Sequence, residues 1–370
     1  MMNIGVGVIV HQLYSRTAAV NIQLNKIHKV LVTGGAGFFG SHICEKLLLD
    51  GKQVVVVDSL NNESSSVFEK KRYIEYLKLL SENIDGSHLS VYEIDILEEE
   101  RLSDILRIEG PVSCIHAASL VMDRKSVEEP IRYIINNVQG TQSILNAIRR
   151  TGTIKRFVLI SSRAAVGETN LADDQITEND LLRPINPYGA TKVAMEALCH
   201  AFYKNFGLSV VICRMQPLYG PRSRRDMMPR LLFESILYNR VVKKYGNGEA
   251  VRDWLYVEDA ALGILAAIER SDGFSIFNFG TGTVTTLNEL IRLVVEITGG
   301  KLNMQFESVP PGDAIFTGSC DTRKAKDLLG WEPKIDLRTG LKMMYEDMKM
   351  HRYDECGNIL IDSNVLYEKI

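Results

Sequence analysis

The chain has 370 residues, with 43 Lys plus Arg against 46 Asp plus Glu, for a net charge of −3. Apolar residues make up 45% and charged residues 24%, which excludes a disordered chain, and the slight negative balance excludes a basic nucleic-acid binder. No apolar run reaches the ~18–20 residues that span a bilayer, so a soluble, cytoplasmic protein is expected.

The first 28 residues contain no acid and only two cations, Arg16 and Lys26. They read as a flexible extension outside the fold, with a weak organellar presequence or a misplaced start codon as alternatives. From Lys29 the pattern changes. Lys29-Val-Leu-Val-Thr33 is a short buried strand, followed by Gly34-Gly-Ala-Gly37-Phe38-Phe39-Gly40 and a helical stretch from Ser41 to Asp50 that Gly51 closes. Further apolar runs follow at Gln53–Asp58, Val91–Asp95, Val112–His116, Arg156–Ile160 and Leu208–Cys213. Helical-period segments stand between most of them. Fully apolar strands alternating with helices predict an α/β fold, a doubly wound, Rossmann-like parallel sheet. After about Pro217 the rhythm is broken by Gly220-Pro221, Gly246-Asn-Gly248 and Val309-Pro-Pro-Gly312, which predicts a smaller C-terminal substrate lobe. The expected organisation is an extension over 1–28, a dinucleotide-binding domain over 29–216 with later segments near 254–282 returning to it, a lobe over 217–350 and a tail over 351–370. The six cysteines include no CxxC pair, and none has a His at ligand spacing. They read as reduced core thiols, and no metal site is expected.

Gly34, Gly37 and Gly40 lie between a strand and a helix. In that place the first permits a tight turn, the second lets backbone approach a pyrophosphate, and the third allows close helix packing. The helix N-terminus then offers N–H groups to the anion. Asp58 ends the next strand, 24 residues after Gly34. A carboxylate there accepts both ribose hydroxyls of an adenosine and repels a 2′-phosphate. No Arg or Lys follows within a few residues, which points to NAD over NADP. Asp95 ends the third run, where it either meets an adenine edge beside Ile96 or is a surface carboxylate.

Tyr188 and Lys192 stand at i and i+4 of a predicted helix, on one face. A lysine beside a phenol is expected to lower its pKa from ~10, so that the phenolate can take a proton from a substrate hydroxyl. Ser162 ends the fifth run, 26 residues before Tyr188, where its hydroxyl can bridge phenol and substrate.

These motifs are carried by Thr33–Gly40, His116-Ala117-Ala118, Asn136–Thr141 and Pro187–Lys192. Tyr219–Arg222, Arg252–Val257, Asn278–Gly282, Pro311–Asp313 and Ala325–Pro333 extend the match. Over about Lys29 to Met348 the chain resembles the extended short-chain dehydrogenase/reductases, in the NAD-dependent epimerase/dehydratase branch acting on nucleotide sugars. The resemblance implies NAD as cofactor, held by Gly34, Gly37, Phe38, Phe39, Gly40, Asp58, Asp95, Ile96, Ala117, Ala118, Tyr188 and Lys192. It implies Tyr188 as base, Lys192 as its partner and Ser162 as hydroxyl. Asn137 would hold the active-site helix and a relay water, or simply cap a bend. Arg252 would grip a nucleotide diphosphate.

Ser223–Met227 resembles a segment of uronate 4-epimerases, and Arg124 and Ser126 fall where those enzymes carry Gly-Val-Arg-Tyr-Ser. Dehydratases of the branch carry an Asp-Glu pair after the strand-end hydroxyl, where this chain has Arg163-Ala164. Pro217, Pro310 and Ala165-Val166-Gly167 depart from the usual pattern. The resemblance therefore implies a nucleotide-sugar 4-epimerase acting by transient C4 oxidation, on a UDP-hexose or UDP-uronate. A decarboxylase or dehydrogenase on the same scaffold and a non-catalytic scaffold are the alternatives. Arg124, Ser126, Arg163, Arg252 and Asp313 are the expected substrate contacts. Arg163 or Arg124 would pair with an anionic group, or else Arg163 points to solvent. The expected partner is a second copy, paired through helices at about Ile131–Arg150 and Tyr188–Phe206.

Overall fold

The computed structural model describes residues 27–63, 65–169, 175–314, 317–350, 352–353 and 359–360. The extension and most of the tail, Cys356 included, lie outside them. The apolar runs become β1 (Lys29–Thr33), β2 (Gln53–Asp58), β3 (His88–Glu93), β4 (Ser113–His116), β5 (Arg156–Ser162) and β6 (Ser209–Met215). A seventh strand, β7 (Phe274–Phe279), joins the six runs read from sequence. All neighbours pair in parallel, in the order β7-β6-β5-β4-β1-β2-β3. The order reverses between β1 and β4, and ligands of such sheets bind outside the strand ends at that switch point. The fold is a Rossmann-like α/β fold.

Eleven described helices matter for the site and its supports. They are α1 (Phe38–Leu49), α2 (Val67–Glu82), α3 (Glu99–Glu109), α4 (Asp123–Glu128), α5 (Gly140–Thr151) and α6 (Pro187–Phe206). The others are α7 (Met228–Tyr238), α8 (Val257–Arg270), α9 (Leu287–Thr298), α10 (Arg323–Leu329) and α11 (Leu337–Met350). Alternation along the strands splits the core in two. Val30, Val32, Val54, Val56, Val158 and Val211 pack under α1, α2, α8 and α10. Leu31, Val55, Val57, Phe157, Leu159 and Ile212 pack under α3, α5 and α6. Both faces of the central strands β1, β2, β4, β5 and β6 are therefore buried, which is why those runs are apolar without a polar phase.

The C-terminal lobe has its own core, in which α7, α9 and α11 pack around Tyr219, Phe233, Trp254 and Tyr256. Helix α1 starts at Phe38, inside the glycine turn, three residues earlier than the pattern suggests. Gly51 ends it with φ +69°, and its N–H reaches the Leu48 carbonyl at 2.9 Å, a left-handed close that favours glycine. β3 ends at Glu93, so Asp95 lies two residues beyond the strand and not at its end.

Candidate active site

The β1–α1 turn is shaped by contacts that leave no room for a side chain. Gly34 sits at φ +70°. A Cβ there would lie 2.8 Å from backbone atoms of Ala118, and one at Gly40 would lie 2.0 Å from the Gly34 carbonyl oxygen. Gly37 precedes the first turn of α1, and no side chain caps that end. The first N–H groups of the helix have no partner within it, so the turn is a cradle that fits an anion.

One pocket runs from this turn across the carboxyl ends of the strands. Gly34, Gly37, Phe38, Phe39, Gly40, Asp58, Asp95, Ile96, Ala117 and Ala118 line it, together with Ser162, Arg163, Tyr188, Lys192 and Arg252. Residues far apart in sequence thus meet in one cleft of a size and chemistry that fit a dinucleotide beside a second anionic ligand. Arg124, Ser126, Asn137 and Asp313 are not among the lining residues. Ser126 is fully buried and donates its hydroxyl to the Asp123 carbonyl at 2.5 Å. Arg124 is clamped by Asp313 through Nε and a terminal nitrogen, at 3.1 and 2.7 Å, and lies 3.9 Å over the Tyr245 ring. A bidentate pair of this kind ties α4 to the 310–314 segment. It neutralises the two groups expected to meet a substrate.

The centre of the pocket is Ser162, Tyr188 and Lys192. Asn186 caps α6 by accepting the Gly189 N–H at 2.8 Å, with Pro187 in the first turn. That places Tyr188 at the mouth and Lys192 one turn on. The Ser162 oxygen accepts the Ala164 N–H at 3.1 Å. Its own proton is then directed to the Tyr188 phenol oxygen, a hydrogen bond that favours phenolate. Burial outweighs it and holds the phenol above its ordinary range, with Asp123 adding to the rise and Arg224 opposing it. This reverses the sequence expectation of a depressed tyrosine. The depressed group is the lysine. Burial brings Lys192 down to about 7, partly countered by Glu196. Its Nζ donates to the Ile160 carbonyl at 2.8 Å and lies 5.7 Å from the Tyr188 ring centre. In a low-dielectric site the ion that cannot be hydrated is disfavoured whichever its sign, so burial raises the phenol and lowers the amine together.

Asn137 is a positioning residue. It is fully buried in the π-helical turn Ile134–Gln139. Its amide oxygen accepts the Leu120 N–H at 2.8 Å, and its NH2 donates to the Leu120 carbonyl at 3.0 Å and to Thr191 Oγ1 at 2.9 Å. It therefore pins the Ala117–Leu120 loop to α6. Below it, Thr141 Oγ1 donates to the Asn137 carbonyl, so Thr141 must accept from His116 Nε2 at 3.1 Å, and His116 Nδ1 must accept from Thr33 at 2.7 Å. Burial, then Lys192, hold His116 down at about 3, consistent with this neutral tautomer.

Among the lining residues that sequence reasoning missed are Asp123, Arg224, Lys70 and Asn186. Asp123 is held by Asn186 Nδ2 at 3.1 Å, and burial raises its carboxyl against the pull of Arg252 and Arg163. Arg224 forms a two-point pair with Asp226 at 2.9 and 2.7 Å and faces Tyr188 electrostatically. Lys70 reaches Asp58 from α2 at 2.9 Å. Asn186 is both cap and pocket wall. The adjacency of Asp123 to Arg124 was the one available signal, and only the fold shows which of the two faces inward. Arg163 is half-buried, and its Nε has no hydrogen-bond partner among the described residues. Burial and the repulsion of Arg252 bring it down to about 10, and Arg252 is lowered by burial as well. Arg163 also donates to the Gly167 carbonyl, and Arg252 to the Val251 and Ala314 carbonyls at 2.7 and 2.9 Å.

Residues 30–280 match the NAD dependent epimerase/dehydratase family. The chain is 32% identical to a UDP-glucuronate 4-epimerase of Thermodesulfobacterium geofontis over 313 residues, covering 84% of this chain and 93% of that protein. Among solved structures, it is similar to the UDP-glucuronic acid 4-epimerase of Bacillus cereus in complex with UDP-glucuronic acid and NAD. There the TM-score is 0.78 at 30% identity, over 87% of this chain and 99% of that one. It is also similar to the UDP-glucose 4-epimerase of Thermotoga maritima with UDP-glucose, with TM-score 0.76 and 34% identity over 87% and 98% of the two chains.

Proposed function

This chain belongs to the NAD dependent epimerase/dehydratase family, and from that premise we propose that it is an NAD-dependent nucleotide-sugar 4-epimerase acting on a UDP-hexose or UDP-uronate. The observation that supports this most is the continuous pocket: the glycine cradle, the Ser162–Tyr188–Lys192 group and the Arg163–Arg252 pair share one cleft. Gly34, Gly37, Gly40 and Asp58 would hold NAD, which supplies hydride acceptance from the sugar C4 and its return. Tyr188 removes and returns the O4 proton. Ser162 donates a hydrogen bond that favours the phenolate, and charged Lys192 stabilises it. Arg252 and Arg163 hold the anionic part of the substrate, a diphosphate or a uronate carboxylate. Asp123 accepts from sugar hydroxyls. The positions after Ser162, where a dehydratase acid pair would stand, are Arg163 and Ala164, which supports epimerisation over loss of water.

Purified chain incubated with UDP-glucose and with UDP-glucuronate, followed by chromatography, tests this. A C4 epimer from either one, with no net reduced dinucleotide, supports it. Carbon dioxide release or stoichiometric NADH supports the decarboxylase or dehydrogenase instead. Ile131, Ile134 and Ile135 are 66%, 48% and 43% exposed, a strip that supports pairing of two copies across this region and that soluble monomers seldom leave open.

A further inference from the structure

Asp58 changes character once its surroundings are seen. Its Oδ2 accepts the Ala36 N–H at 3.2 Å, and its Oδ1 accepts the Leu60 N–H at 2.9 Å. Lys70 Nζ, from the first turn of α2, takes the second acceptor direction of Oδ1 at 2.9 Å. Both side chains are 5% exposed, and both line the pocket. Lys70 Nζ also stands 3.4 Å from Asn61 Oδ1, and an ammonium has three donors. The neighbouring cations are engaged elsewhere. Lys125 and Arg132 pair with Glu63, and Arg225 and Arg230 pair with Glu69.

A carboxylate at the end of the second strand discriminates against a ribose 2′-phosphate by charge repulsion. Here that carboxylate is half of a neutral, nearly buried pair, and the cation of the pair is part of the pocket wall. The repulsion is compensated at its source. We propose that Lys70 is a specificity-determining residue for the dinucleotide: by neutralising Asp58 it opens the adenosine end to a 2′-phosphate, so that the chain binds NADP as well as NAD. This rests on the reading that the pocket holds a dinucleotide.

Calorimetric titration of the purified full chain with NAD and with NADP, separately and without substrate, tests it. Wild type should bind NADP within about tenfold of NAD. Loss of one facing charge at ~4–5 Å in a partly buried site should weaken NADP by roughly 100-fold in K70Q and raise the preference for NAD over NADP by at least about tenfold. K70R should keep the wild-type ratio. A wild type that binds NAD but rejects NADP by more than about a thousandfold overturns the proposal, whether or not K70Q folds. So does a K70Q variant that weakens both dinucleotides equally. A wild type that binds neither overturns the reading of the pocket, and this inference with it.

Discussion

Replacing Asn137 with alanine should weaken the fold and the activity by separable amounts. The side chain satisfies the N–H and C=O of Leu120 and the Thr191 hydroxyl oxygen. Leu120 is only 7% exposed, so water cannot readily replace the amide. The orphaned Leu120 N–H costs about 1–2 kcal/mol; the Leu120 carbonyl keeps the Ser119 hydroxyl at 3.1 Å, and the lost hydrogen bonds to it and to Thr191, at about 1 kcal/mol each, bring the total to roughly 3–4 kcal/mol. At about 2.1 cal/mol/K per residue, a chain of 370 residues loses about 1.3 °C per kcal/mol, so Tm should fall by about 4–5 °C. The same bonds hold the Ala117–Leu120 loop against the helix that carries Tyr188. The folded variant, assayed well below its Tm, should therefore lose about tenfold or more in kcat while its pH profile keeps its shape. Calorimetry and steady-state kinetics on one preparation measure both. A Tm within 1 °C of wild type would refute the accounting of buried partners, and an unchanged kcat with a lowered Tm would refute the positioning role.

Tyr188→Phe should lower kcat by about 10²–10⁴-fold and leave dinucleotide binding intact, as calorimetric titration would show. Burial has brought Lys192 down to about 7, so between pH 7 and its ordinary value near 10.5 the unfolded chain holds the extra proton and stability rises with pH. At ~1.36 kcal/mol per unit the Tm of the unliganded protein should climb by a few degrees from pH 7 to 9, and Lys192→Met should flatten that climb. A Cβ at residue 40 would meet the Gly34 carbonyl, so Gly40→Ala should abolish the thermal shift that NAD produces. Arg252→Ala should raise KM by about 10–100-fold with a smaller change in kcat. Arg163→Ala should raise KM for a uronate more than for the neutral hexose if its partner is the carboxylate, and equally for both if it is the diphosphate.

What could be read from the sequence was what is local along the chain. The glycine turn, the Tyr188–Lys192 pair and the strand-end Ser162 depend on spacings of a few residues and on strands whose apolar character survives isolation. The seventh strand lies in the 254–282 stretch expected to return to this domain, but it escaped as a strand because Phe274-Ser-Ile-Phe-Asn-Phe279 carries polar residues where it stands at the sheet edge, beyond β6. Lys70 escaped because the chain leaves Asp58, turns and comes back through α2 before the two meet. The Asp123–Asn186 contact spans 63 residues and has no trace in any motif. The sign of the tyrosine shift was misjudged for a different reason. A neighbouring cation was weighed, whereas the desolvation that dominates exists only once the helix is docked. Arg124 shows the converse, since a cation at a motif position was claimed by Asp313 from the far end of the chain.

The central claim is that C4 is oxidised and re-reduced within one closed site that Tyr188 serves. A UDP-sugar deuterated at C4 measures this directly. The account predicts a C4 epimer that retains deuterium at C4, with no label in solvent or in free dinucleotide. Loss of the deuterium to water, or its recovery in released dinucleotide, would contradict it.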